Sequence, residues 1–158
     1  MRLLSIDQSL SRSGYSTHSK DELITYGIIK TNPKQTQEER VGEIITKMFS
    51  LIDEYKIDRV VLEDIQSQKN PKTYRILSML LGVLCYKLYE SNIPFEIISP
   101  SSWRSTLNIN KGRKREEKKK QAQDYVERKF GIRPTEDECD SICLGLAYLH
   151  KLKLMEEI

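Results

Sequence analysis

Four acidic residues have the type and placement for metal-assisted chemistry. Asp7 closes a short apolar run, Leu3 to Ile6, and Glu63 closes a second run, Val60 to Leu62. Asp137 and Asp140 stand just before a third apolar stretch, Ile142 to Leu149. If the first two runs are parallel neighbouring strands, Asp7 and Glu63 share one sheet edge. Two buried anions that close repel each other, and a cation is the usual remedy. Asp137 and Asp140, at i and i+3, share a helix face. Ligands that are all carboxylate oxygens suit Mg²⁺ or Mn²⁺ rather than zinc. Four such carboxylates could hold two ions, the arrangement that hydrolyses phosphodiesters. Each acid also has a purely structural explanation. A strand can end in Asp7 or in Glu63-Asp64 simply on leaving the core. Glu136, Asp137 and Glu138 complement a helix dipole. Asp140 lies deeper in its helix and fits the dipole account less well.

A basic stretch lies between the second and third acids. From Arg104 to Lys120 there are eight basic and two acidic residues. Such a run is either a solvated face or a phosphate-binding surface. Ala122, Val126 and Phe130 mark the inward stripe of a helix through it. At about 100° per residue, Lys119 falls within about 20° of that stripe's centre, while Lys118 and Lys120 fall to its flanks. Lys119 is therefore expected to project inward and meet a scissile phosphate. Arg104, Lys111, Arg113, Lys114, Arg115 and Lys118 are the candidates for contacts to a nucleic-acid backbone, which carry no sequence information. Trp103 could stack on a base, but packing is the more ordinary use of a tryptophan.

The elements that must position these residues are legible from periodicity. Three strands are expected at 2–8, 13–18 and 23–30, with Gly14 and Lys20-Asp21 in the turns. A helix follows over 37–55, opened by a Thr36/Glu39 capping box and striped by Val41, Ile44, Ile45, Met48, Ile52 and Tyr55. A buried strand spans 58–64. Asn70-Pro71 opens the next helix, to about residue 90, with proline at its first position. This helix is apolar nearly all round, and Gly82 in its middle is costly unless something packs there. A second packing surface is expected on it, as a homodimer contact. Ile93 to Ile98 is the last strand, stopped by Pro100. Helices over 113–130, ended by Gly131, and over 136–153, opened by Thr135 and Glu138, complete the chain. This order gives an α/β fold with a mixed sheet, with the Glu63 strand beside the Asp7 strand.

The bulk properties narrow the class. A chain of 158 residues is expected to form one domain, 1–158, with a real core. Charged residues make up 31% of it, above the usual quarter, yet the net charge is only +3. Three cysteines and no signal sequence point to reduced thiols in a cytoplasmic setting. No apolar run is long enough for a membrane span. Cys139, Cys143 and His150 could be three zinc ligands, but a structural site wants a fourth; small apolar packing is the better account.

Taken together, these motifs resemble the RuvC family of Holliday-junction resolvases, in particular its small phage-encoded members. Asp7 through Gly14-Tyr15 resembles the opening motif, an aspartate seven residues before Gly-Tyr. Val61-Leu-Glu63 is similar to the second-acid strand, Lys119-Lys-Gln-Ala-Gln123 to the segment with the active-site lysine, and Asp137-Glu-Cys-Asp140-Ser to the paired aspartates. The resemblance implies an RNase H-like five-stranded sheet flanked by helices and a homodimer. It implies two Mg²⁺ or Mn²⁺ ions on Asp7, Glu63, Asp137 and Asp140, with Lys119 on the phosphate. Glu136, on the same face, is the alternative to Asp137. The implied activity is water-driven cleavage of branched DNA at junctions, forks or flaps, in a host cytoplasm for a phage protein. Two departures stand out. Gln8-Ser9 replaces the family's usual Pro-Gly, and Gln66 stands where a phenylalanine often stacks on junction bases. Little sequence preference is therefore expected.

Two other functions fit the same residues: a nuclease of this fold acting on RNA or RNA–DNA hybrids, and a non-catalytic basic dimer that binds nucleic acid. A sugar-kinase or actin-like ATPase shares the strand–aspartate opening. It needs a longer chain and glycine-rich phosphate loops.

Overall fold

The computed structural model describes Met1 to Glu157. Its elements run β1 (Arg2–Asp7), β2 (Arg12–Ser19), β3 (Glu22–Lys30), α1 (Gln37–Tyr55), β4 (Arg59–Glu63), α2 (Pro71–Glu90), β5 (Phe95–Ile98), α3 (Pro100–Thr106), α4 (Arg115–Phe130) and α5 (Glu136–Glu156). The five strands form one sheet in the order β3-β2-β1-β4-β5. β1 pairs antiparallel with β2 and parallel with β4, and β4 pairs parallel with β5. The mixed α/β architecture expected from the sequence is thus present. Ile6 lies opposite Leu62, so Asp7 and Glu63 emerge side by side at one edge.

Alternation along β1 feeds two cores. Leu4 and Ile6 join Val60 and Leu62 under α1 and α2, against Ile44, Met48, Leu80, Leu84 and Leu88. Leu3 joins Val61 on the other face, against Trp103, Ala122, Val126 and the buried stretch of α5. This second face is built for close approach. Ser5 and Ser16 both donate to the Ser141 carbonyl, at 2.7 and 3.1 Å. A Cβ on Gly145 would stand 2.5 Å from His18 Nε2, and one on Gly14 only 2.0 Å from the Asp137 carbonyl oxygen. The first turn of α5 therefore rests directly on β2. Gly14 sits within β2, paired with Asp7, rather than in the turn where its residue type had placed it.

Both threonine capping boxes are present, Asn70 caps α2 with Pro71 at its start, and Gly131 ends α4 at φ 70°. One element departs from expectation. Pro100 does not merely stop β5; it opens α3. The Ser99 side chain accepts the Ser102 N–H, and proline at the first helical position loses no intrahelical bond. Gly82 meets nothing within 4 Å within the chain. It lies on an exposed stripe with Met79, Tyr86 and Tyr89. Cys139 and Cys143 are buried and free, while His150 is exposed, so the three do not assemble for zinc. Among the described residues, no helix is long and apolar enough to cross a membrane.

Candidate active site

β1 and β4 end together, and α5 starts above them. The consequence is a cleft of about 640 Å³ lined by Asp7, Glu63, Asp137 and Asp140. Acids more than a hundred residues apart in the chain meet there because β1 and β4 are parallel neighbours and Gly14 lets α5 touch the sheet. Lys118, Lys119, Arg113 and Arg115 line the same cleft, as does Arg12. Arg12 was not singled out in the sequence. The antiparallel register Asp7↔Gly14 places the start of β2 at this edge, and that pairing was its only signal.

Electrostatics distinguish the acids. Burial foremost, then the charges of Glu63 and Asp137, push the Asp7 carboxyl well above the usual range; Lys119 offsets this only in part. Burial also raises Glu63, against hydrogen bonds from Asp7 and Trp103. Asp140 is pushed up to about 7, by burial and then by Asp7, with Arg104 and Lys119 pulling back. Asp137 stands nearer solvent, 3.6 Å from Arg12 and 4.0 Å from Lys119. For Lys119, burial opposes the charge. The 3.0 Å pair with Glu136 and the fields of Asp140, Glu136 and Asp137 outweigh it and raise the ammonium's pKa. Lys119 thus points inward as the helical phase of α4 required. Glu136 bonds this lysine and does not line the cleft, which Asp137 does.

Three backbone-contact candidates are placed differently from Arg113, Arg115 and Lys118. Arg104, expected on a nucleic-acid backbone, borders the acidic cleft but is only 8% exposed. Its guanidinium donates to the Lys118 carbonyl at 2.8 Å and lies 3.4 Å from Asp140 Oδ1. The reason is α3, whose turn directs Arg104 into the protein. Lys111 lies away from the acids, in a second depression with Gln121, Asp124 and Arg128. Lys114 caps α4, its N–H donating to Glu117 at 3.3 Å, and is also absent from the cleft wall. Trp103 is fully buried, as packing required, and its Nε1–H also donates to Glu63 Oε1 at 2.8 Å. Gln8, noted only as a departure, uses its side-chain amide to bond both the carbonyl and the N–H of Glu63. It extends the β1–β4 ladder one step beyond the last paired residues.

The donor set fits a divalent ion. It is all oxygen, and three of its acids are held in a state that a cation would relieve. Among the described residues, no three His, Cys, Asp or Glu side chains are already drawn into a cage. Asp140 and Asp137 instead face Arg104, Arg12 and Lys119.

Comparison with known proteins identifies the family and the fold. The family model described as Crossover junction endodeoxyribonuclease RuvC matches residues 3–148. The crossover junction endodeoxyribonuclease RuvC of Ehrlichia ruminantium (strain Welgevonden) is 28% identical, over 97% of this chain and 99% of the relative. That of Helicobacter pylori (strain P12) is also 28% identical, over 98% and 99%. The fold is similar to that of T. thermophilus RuvC, solved in complex with Holliday junction substrate. The TM-score is 0.78 at 17% identity, over 98% of this chain and 96% of that one.

Proposed function

This chain belongs to the RuvC family of crossover junction endodeoxyribonucleases, and on that footing we propose that it is a metal-dependent endonuclease of branched DNA, the Holliday junction above all. The observation that carries the proposal is the convergence of Asp7, Glu63, Asp137 and Asp140 on one cleft that Lys118, Lys119, Arg113 and Arg115 also line. Acids alone would repel a nucleic acid. The basic wall offsets this and draws the backbone in without reading sequence.

The four acids would hold two Mg²⁺, with Mn²⁺ as an alternative. When bound, such ions polarise the scissile phosphate and lower the pKa of the attacking water. The chain's own residues do the rest. Gln8 fixes the main chain of Glu63 against β1. Lys119, kept charged by its acidic neighbours, offers its ammonium to a phosphate oxygen. Arg113, Arg115 and Lys118 take neighbouring phosphates. Gln66 and Gln68, polar and on the cleft wall, offer no ring to stack on junction bases, which supports selection by branch geometry rather than by sequence.

The active unit of this proposal is a homodimer. Met79, Gly82, Tyr86 and Tyr89 alternate at intervals of three and four along the outer face of α2, and Tyr89 is 74% exposed. That spacing is a seam suited to a facing helix. Replacing Tyr86 and Tyr89 together by serine is expected to shift the sedimenting species from dimer to monomer. An unchanged species would remove α2 from the interface.

A cleavage panel in Mg²⁺ and Mn²⁺ tests the activity, using a four-way junction, a fork, a flap, linear duplex, an RNA–DNA hybrid and single-stranded RNA. Junction incision that disappears in the Asp7→Ala protein is expected, with junction binding retained. Preference for the hybrid or for RNA would redirect the reading to a ribonuclease. No metal-dependent incision of any substrate would leave only a binding protein.

A further inference from the structure

Helix α3 takes no part in the chemistry so far, yet it touches two of the four acids. Trp103 donates its indole N–H to Glu63 Oε1 at 2.8 Å. Its neighbour Arg104 lies 3.4 Å from Asp140 Oδ1, and its guanidinium stacks 4.2 Å over the Trp103 ring. Two consecutive residues of a seven-residue helix therefore reach acids on two other elements, β4 and α5. Both are themselves held fast. Trp103 is packed among Val61, Ile98, Ile142 and Ala147. Arg104 is tied to α4 through the Lys118 carbonyl.

A buried indole needs some acceptor, and a backbone carbonyl would serve. Here the acceptor is a carboxylate that stands beside Asp7 at the end of the paired strands. A buried guanidinium needs an anion, and the one supplied is the acid deepest in the first turns of α5. Donors of this kind fix which lone pairs a carboxylate presents. We infer that Trp103 and Arg104 are positioning residues that hold the carboxylates of Glu63 and Asp140 in the orientation a divalent ion requires. The inference rests on the metal-site reading given above. Neither residue touches substrate in it. Without the indole N–H the Glu63 carboxylate is free to turn, and without the guanidinium fork so is that of Asp140.

The test is Mn²⁺ affinity of the full chain, read from the free-ion electron paramagnetic resonance signal. Benzothienylalanine in place of Trp103 keeps the ring shape and removes only the N–H. It is expected to weaken Mn²⁺ binding by about 10- to 100-fold, the usual cost of losing an outer partner of a metal ligand. Arg104→Lys, which keeps a charge but loses the fork and the stacking, is expected to weaken it likewise. Junction binding in EDTA is expected to be unchanged in both. Wild-type affinity in the benzothienylalanine protein would overturn the inference for Trp103 and leave that residue as packing. Wild-type affinity in Arg104→Lys would do the same for Arg104. Asp7→Asn separates the two levels: if it binds Mn²⁺ as tightly as the wild type, the metal-site reading falls and takes the inference with it.

Discussion

Helices α2 and α5 are nearly equal in length, and both have apolar residues on all sides. Their fates differ. α5 buries an unbroken stretch from Cys139 to Leu149. α2 buries only Leu80, Leu84 and Leu88 and leaves Met79, Tyr86 and Tyr89 in the open. The same composition therefore has two explanations. α5 is apolar all round because β1, β2, α3 and α4 surround it. α2 is apolar all round although the chain covers only one side. Small residues on the sheet separate the two cases: Ser5, Gly14 and Ser16 let α5 settle onto the strands, and its first turns carry Asp137 and Asp140 into the cleft.

Substitutions can break this contrast, and the largest effect is expected at the acids beneath α5. Asp7→Asn should lower junction cleavage by about 10²–10³-fold or more, several kcal/mol of transition-state stabilisation at about 1.4 kcal/mol per tenfold. The metal-free protein should melt no lower than wild type, since a repelling charge is gone. A fall in melting temperature would mean that Asp7 serves the fold. Next comes Gly145→Ala. Its Cβ would strike the His18 imidazole, and a loss of about 1–3 kcal/mol is expected in urea unfolding, as for overpacked cores. An unchanged midpoint would show that α5 can lift off the sheet without cost.

The third expectation concerns pH. Asp7, Glu63 and Asp140 are all raised in the folded state. Raised carboxyls favour the fold while protonated, so their contribution is present below the unfolded value. For Asp140 it is lost as pH rises from its ordinary 3.8 through about 7. His18, lowered to about 4 by burial, acts in the opposite sense and disfavours the fold as pH falls below 6.5. It titrates alike with or without ions. The difference between melting temperatures in Mg²⁺ and in EDTA therefore isolates the acids, and it should widen from pH 4 to 7. A flat difference would argue against ion binding at these carboxyls. The smallest effect is at Gly82. Open space surrounds it, so Gly82→Ala should stabilise the dilute protein by about 0.5–1 kcal/mol through helix propensity alone. A loss instead would place a packing neighbour over that glycine.

Much of this arrangement was legible in the chain. The span of α1, the capping boxes at Thr36 and Thr135, and the inward phase of Lys119 follow from local periodicity, which needs only neighbours a turn or two away. The β1–β4 pairing followed from two apolar runs ending in acids. What local pattern could not supply was direction across space. Arg104 belongs to a basic run by sequence neighbourhood, but α3 turns it onto Asp140. α3 itself was hidden because Pro100 ends a strand and starts a helix with the same locked φ. Trp103 was readable as core; that its one polar atom meets Glu63 depends on where β4 ends. Gly14 looks like a hairpin glycine, and only the tertiary approach of α5 explains it.

That last residue acts as a spacer defined by what it lacks. Its hydrogen sets the clearance between the sheet and the carbonyl of Asp137. Any larger side chain there would tilt the head of α5 outward like a shim under a hinge plate. The greasy body of that helix could stay seated while its two aspartates swung away from the strand ends. A single added methyl at position 14 is therefore expected to leave a protein that folds and keeps its basic wall but loses cleavage.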